Sequence, residues 1–458
     1  MAHRHLHRTP YCFASDTVPF SWRGMWVWFW VWMVLPAGPL QAQAWLFGSR
    51  DDPAEQASVE WWNAYAELTG AAGFSLIGPQ WRGVTRVDLE ARGTDYAFGL
   101  EGSFRSGIYG RYDVETDEWR DALRVLAFAR YRPADGSTYL RAGPMERTRL
   151  GSGHLVNFYS SATLWDDRTI GVELQRTGAN HTLEAFTSDV TRKGLTGLRF
   201  AVAPFDKGVP GPRSLEFSAS VVEELGRETD LGHPFRGFEG AARMVAYRSG
   251  SFDFVPFASV AWLPDYGQGV LVGANLENAN FIDTARLYLS LALHYNSADF
   301  RHGYFGTFYE VSGPGRSIIE AGVTDRKDIP LRDVERGNSI LFESRILFLE
   351  RFELWYAFQR YHGAQHLSEY HLRLLFNSRN VQLAVSQDRR GLKGFTSLFG
   401  ELGEENRLRF GFDLRLLRQV WLLMDAHYSY RLNTVIEGNA YHSIQRRFDP
   451  VIGLRARF

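Results

Sequence analysis

Residues 406–417 read NRLRFGFDLRLL, with Leu408, Phe410, Phe412, Leu414 and Leu416 on one face and Arg407, Arg409, Gly411, Asp413 and Arg415 on the other. A helix would mix these two sets. A strand separates them, because its successive side chains point to opposite sides. The pattern recurs downstream: Val420, Leu422, Met424, Ala426, Tyr428, Tyr430 and Leu432 alternate with Asp425, His427, Ser429 and Arg431, although Trp421 and Leu423 blur its start. Leu287, Leu289, Leu291, Leu293 and Tyr295 make a regular apolar face, as do Phe252, Phe254, Pro256, Ala258, Val260 and Trp262. Leu215, Phe217, Ala219 and Val221 do the same upstream. Tyr370, Leu372, Leu374 and Phe376 alternate with His371, Arg373 and Asn377. Phe352, Leu354, Tyr356 and Phe358 alternate with Glu353 and Gln359, while Trp355 and Ala357 intrude on the polar side.

Strand length then separates two kinds of all-β chain. Soluble sandwiches use strands of about five or six residues, whereas a tilted strand crossing a bilayer needs about 9–11. The segments here run ten to fourteen residues. Rings close several apolar faces at one end (Trp262, Tyr295, Tyr430), as aromatic side chains do at a membrane–water interface. From residue 339 onward the connections alternate between tight and longer, the rhythm of short turns at one rim and loops at the other. These features predict an all-β fold, a transmembrane antiparallel β-barrel over residues 83–458. About twenty strand candidates and the even-number tendency of bacterial barrels give an expectation of 16–20 strands, centred on about 18. Residues 54–68, rich in Ala and Glu around Trp61-Trp62, read as a short helix, so residues 45–82 are expected to be a periplasmic lead-in.

Composition closes other routes. The chain has 458 residues with 51 basic and 52 acidic side chains, a formal charge of -1 that does not suit a nucleic-acid binder. After residue 44 no apolar run exceeds five residues, far short of the about 20 a spanning helix needs. Residues 25–35, MWVWFWVWMVL, follow Arg23 and precede a Pro/Gly break and the small-x-small sequence Ala42-Gln43-Ala44. That arrangement predicts a secretory signal peptide over residues 1–44, cleaved after Ala44. Cleavage would remove Cys12, the only cysteine, so the mature chain must be stabilised without disulfides.

The last ten residues, DPVIGLRARF, place Pro450, Ile452, Leu454, Ala456 and Phe458 on one face and Arg455 and Arg457 on the other. A chain that ends in an amphipathic strand with a terminal phenylalanine resembles bacterial outer-membrane β-barrel proteins of porin-like architecture. The resemblance is architectural and rests on no family-specific motif. It implies a cell outer-membrane location, lipids as partners, and a barrel-assembly machinery that reads Phe458. It also implies a porin-like function, the passive diffusion of small hydrophilic solutes without a cofactor. The alternatives are a non-conducting barrel acting as an adhesin or structural protein, and a barrel enzyme of lipase or protease type.

Inward faces of such a barrel are polar, which makes Arg373, Arg407, Arg409, Asp413, Arg415, Arg431, Arg455 and Arg457 the pore-lining candidates, together with His427. They form either an arginine wall that guides anions or a charge-balanced lumen whose arginines pair with carboxylates, and the near-zero net charge favours the second. Residues 312–338, the longest loop, hold Arg316, Glu320, Asp325 and Arg326 and are candidates for a constriction; an external solvated loop is the competing reading. Residues 143–161 are too glycine-rich for a regular strand and make a second candidate insertion. His154 lies near Ser152, Ser160, Ser161, Asp166 and Asp167, but no motif surrounds them, and no enzyme is predicted. Metal binding is not expected either: the chain lacks H-E-x-x-H, paired cysteines and an EF-hand loop.

Overall fold

A computed structural model describes residues 65–458 other than 109, 113–118, 134, 166–167, 192–193, 206–208, 229–233, 282–284, 312–333, 350, 363–367, 393–405 and 437–438. The alternation builds antiparallel strands of 9–19 residues, except for five of 6–8 residues between Leu126 and Val202 that fall short of the expected ten to fourteen. The first half of the wall comprises β1 (Tyr65–Ile77), β2 (Gln80–Arg92), β3 (Tyr96–Gly107), β4 (Leu126–Tyr131), β5 (Thr138–Gly143), β6 (Gly171–Thr177), β7 (His181–Thr187), β8 (Leu195–Val202), β9 (Glu216–Glu228) and β10 (Pro234–Arg243). The second half comprises β11 (Phe252–Leu263), β12 (Gly267–Phe281), β13 (Ala285–Asn296), β14 (Gly337–Phe348), β15 (Phe352–His362), β16 (Glu369–Asn377), β17 (Val381–Arg390), β18 (Asn406–Arg415), β19 (Val420–Ile436) and β20 (Asn439–Arg457). Each pairs antiparallel with its neighbours, and Gly110–Arg111 and Tyr247–Ser249 add short extensions. The sheet closes where β1 meets β20, with Leu68 opposite Ala456 and Ala72 opposite Ile452. Closure removes both edges, so the backbone can sit in hydrocarbon without unpaired amides.

Among the described residues the barrel has 20 strands, against the central expectation of 18. It also begins at Tyr65 instead of residue 83. The strand that periodicity passes over is β1, where Gly70, Ala71, Ala72 and Gly73 replace the large apolar side chains that make alternation visible. Small residues are needed there: a Cβ on Gly73 would come within 2.4 Å of the Pro450 carbonyl oxygen on β20. The leader at residues 1–44 and residues 45–64 lie outside the described residues.

Outward positions are the ones alternation names. Phe252 to Trp262 in even steps, and Leu287 to Tyr295 in odd steps, face away from the lumen, with Val260, Trp262, Leu291, Leu293 and Tyr295 exposed. Exposed rings fringe this belt at both ends: Trp81, Trp262 and Tyr295 at one, Tyr96, Tyr131 and Phe458 at the other. Tyr430 departs from the expectation. It is buried against Phe308 and Val311 of an inserted segment instead of closing a lipid-facing stripe.

Counting strands from β1 assigns every connection to a rim. The β2–β3, β6–β7, β14–β15, β16–β17 and β18–β19 connections are short and share the rim that carries Tyr65 and Phe458. Residues 144–170 and 297–336 leave from the opposite rim. In bacterial barrels the short-turn rim is periplasmic and the long-loop rim extracellular.

Candidate functional site

The lumen is crossed by two inserted segments, residues 144–165 between β5 and β6 and residues 297–311 between β13 and β14, joined by a parallel bridge between Val156 and Phe305. Backbone hydrogen bonds zip them together: the Asn157 amide donates to the Phe305 carbonyl (3.2 Å), the Phe305 amide to the Leu155 carbonyl (3.2 Å) and the Gly303 amide to the His154 carbonyl (2.8 Å). Side chains continue the seam, with Thr307 donating to the Phe158 carbonyl at 2.6 Å and Thr163 to the Thr307 carbonyl at 2.7 Å. Around it Met145, Leu150, Leu155, Val156, Tyr159, Phe300 and Phe305 pack on inward apolar residues of the wall, Phe186, Leu195, Val222, Phe235 and Leu263. Each large side chain buried in this way contributes about 1.5–3 kcal/mol, so one half of the lumen holds a true hydrophobic core.

Wall glycines make room for it. A Cβ on inward-facing Gly269 would lie 2.4 Å from the Phe300 ring and 2.9 Å from the His154 imidazole, and one on Gly197 would run into Phe186 and Leu150. The two residues that blurred the alternation of β15 have the same cause: Trp355 and Ala357 face inward and pack with Phe158 of the first insertion. Trp421 and Leu423, which blurred β19, join Ala71, Val84 and Val451 in a smaller inward cluster.

Charged anchors fix the first insertion across the barrel. Glu146 accepts from Arg373 on β16 (3.1 Å) and from Arg407 on β18 (2.9 Å), and pairs with Arg409 as well. Burial alone would raise its carboxyl, but Arg409, Arg407 and Arg373 outweigh that and hold it well below the usual carboxylate range. Arg149 reaches Glu343 on β14 at 2.6 Å, and Glu343 also accepts from the Trp355 indole at 2.8 Å. The second insertion is tied down by Arg301 to Glu369 and by His302, which stacks on His294 with ring centroids 3.7 Å apart. His154 Nδ1 lies 2.8 Å from the Ser259 hydroxyl, and Ser152 bonds Ser259 (3.0 Å) and Glu239. Burial pushes the His154 imidazole down to about 3. Its ring is fully buried, so the Ser/His neighbours are occupied in docking the insertion. Asp166 and Asp167 lie outside the described residues.

The other half of the lumen holds a cavity of about 910 Å³, bounded by β1–β4 and β17–β20, roofed by Glu146, Ala162, Thr163 and Trp165, and reaching the short-turn rim at Arg351, Arg379 and Arg418. Eleven arginines and seven carboxylates line it. The expected pore-lining residues divide within this frame. Arg373 and Arg407 are buried anchors of the insertion and Arg409 shares Glu146 with them. Arg455 pairs with Asp413 (2.7 Å) and Glu67 (3.3 Å), and Arg457 with Glu67 (2.8 Å). Arg415 donates to the Leu417 and Arg418 carbonyls and braces its own turn. His427 packs at a tilt against Trp165, at 4.4 Å between centroids, on the cavity wall. The side chain of Arg431 and the constriction candidates Arg316, Glu320, Asp325 and Arg326 lie outside the described residues. Among the described residues the lumen is narrowed by residues 144–165 and by 297–311, the latter immediately before the expected loop. Residues 143–161 carried a legible signal, a glycine-rich break in alternation; residues 297–311 carried none beyond an aromatic run.

No known protein family matches the chain, and no curated protein sequence does. Solved structures similar to it are bacterial outer-membrane β-barrels. CdiB from Acinetobacter baumannii is 9% identical over 85% of this chain (TM-score 0.27), which spans only 60% of CdiB. Wzi of Escherichia coli, titled a carbohydrate-binding barrel of group 1 capsule assembly, is 12% identical over 90% of each chain (TM-score 0.34). OccAB3 of Acinetobacter baumannii is 11% identical over 86% of this chain and all of its own (TM-score 0.32). Likenesses this remote add nothing to the geometry. The closed sheet, the apolar belt with rings at both ends and the short-turn rim make the chain an outer-membrane β-barrel.

Proposed function

We propose that this barrel is a restricted diffusion channel for small hydrophilic solutes, with passage confined to the half of the lumen that the insertions leave open. The observation that carries this reading is the charged cavity of about 910 Å³ beside a solid apolar core. Its mechanism is size exclusion together with the field of fixed charges, and it needs neither a cofactor nor a covalent step. Lipids contact the outward belt, and the exposed Phe458, whose amide donates to the Ala66 carbonyl at 2.8 Å, is the candidate signal for barrel assembly.

A second reading has its own support. The ion pairs of Glu146 and Arg149 hold the insertion to β14, β16 and β18, across the lumen from the strands it leaves, as a permanent plug would be held. Single-channel recording of the refolded protein in a planar bilayer separates the two. Small, stable steps are expected for the channel. Insertion without conductance would overturn it in favour of a plugged, non-conducting barrel.

A further inference from the structure

Resting on the channel reading, we propose that the barrel selects small multivalent oxyanions, solutes carrying carboxylate or phosphate groups, and that the selecting residues are three arginines of the short turns, Arg351, Arg379 and Arg418. The lumen arginines suggested by alternation do not have this role. Arg373, Arg407 and Arg409 converge on Glu146, while Arg455 and Arg457 share Glu67 and Asp413. Each of these cations already has a carboxylate partner, and a passing anion would have to compete with it.

The cavity's acids are spent in the same way. Glu67, Glu146 and Asp413 hold the arginines just named, Asp88, Asp425 and Glu101 face Arg86, and Glu90 holds Arg92. Arg168 donates to the Arg124 carbonyl and lies over the Trp165 ring, and Arg415 braces its own turn, which leaves the rim. Arg351 sits in the β14–β15 turn, Arg379 in the β16–β17 turn and Arg418 in the β18–β19 turn, three successive hairpins at one end of the barrel. All three are exposed and all three line the cavity. Among the described residues no carboxylate lies within ion-pair distance of any of them. Three of the eleven cavity arginines, without a carboxylate partner among the described residues, therefore sit together at the mouth.

Guanidinium forks suit this chemistry. Each presents paired N–H donors in the geometry of a carboxylate or phosphate edge, and the Gln382 side-chain amide lines the same stretch of wall as a further donor. A cavity of about 910 Å³ falls within the size of sites that enclose small organic molecules. Because these three arginines sit together at the short-turn rim, selectivity is asymmetric along the axis: a polyanion engages from the short-turn side.

The test uses the refolded full barrel and the triple variant R351Q/R379Q/R418Q, with R236Q, an exposed residue paired to Glu223 away from the cavity, as control. In a KCl gradient the wild type and R236Q should reverse toward chloride, and the triple variant should lose about threefold or more of that preference. Inorganic tripolyphosphate should block current from one compartment only, with the block abolished in the triple variant. Unchanged selectivity and block in the triple variant would overturn the assignment and leave the channel intact. Calorimetric binding of tripolyphosphate to the detergent-solubilised protein covers the case of no conductance. Binding that the triple variant loses would then keep the anion site while the channel reading falls, and binding absent or indifferent to the three arginines would overturn both.

Discussion

Glu146 is the residue on which the interior turns. One carboxylate receives three guanidiniums from β16 and β18, all screened from water except for part of Arg409. Replacing it with glutamine removes the carboxylate they share and leaves Arg407 with Asp388 at 3.6 Å, and breaking a buried pair in this way costs about 3–5 kcal/mol. E146Q should therefore lower the thermal midpoint in detergent and open residues 144–165 to protease, both read on the same sample. His154 gives a pH dependence whose sign follows from its depressed value. In the unfolded chain its imidazole takes a proton near pH 6.5, whereas in the folded barrel it does so only at about 3. The unfolded state binds the extra proton between those values, so stability should fall as pH drops through that window and level off below it. Midpoints measured across that range should show a shallower slope for H154N than for the wild type.

At the scale of elements, the insertions and the wall are fitted to each other through small inward residues. Gly269 on β12 is the plainest case, since any side chain there meets Phe300 and His154. G269V should keep the β-signature of the barrel yet strain the docked segments by about 1–3 kcal/mol, the usual range for overpacking. Hydrogen exchange is the check: protection should drop at residues 154–158 and 300–305 and persist in the strands. The same fit explains where alternation failed. Trp355, Ala357, Trp421 and Leu423 look like errors in an amphipathic strand, but they are inward contacts to other parts of the lumen. β1 escapes alternation for the opposite reason, because small residues fill Gly70-Ala71-Ala72-Gly73, and at Gly73 the close Pro450 carbonyl leaves no room for a side chain.

The whole molecule is a barrel whose bore is far larger than its open cross-section. Twenty strands enclose a wide lumen, and the two insertions fill half of it with core. Excising residues 147–163 and joining the ends with a short Gly-Ser linker should raise single-channel conductance severalfold, since the apolar core is what narrows the passage. Unaltered conductance in an otherwise folded barrel would mean that the narrowing lies elsewhere, in the loops of the far rim.

Sequence alone determined most of the wall. The strand period, most lipid-facing side chains and the closing C-terminal strand follow from local alternation, because a strand in a bilayer must show an apolar side to lipid at every second residue, whereas β1 and the short β4–β8 do not. It also marked residues 143–161 as an interruption. Tertiary structure decided the interior: which rim sends segments inward, that residues 297–311 join the first insertion, and that Arg373 and Arg407 anchor Glu146 while Arg351, Arg379 and Arg418 meet no carboxylate among the described residues. The physical reason is separation along the chain. Glu146 and Arg409 lie more than two hundred residues apart, and whether an inward arginine meets a carboxylate or water depends on strands brought together only when the sheet closes.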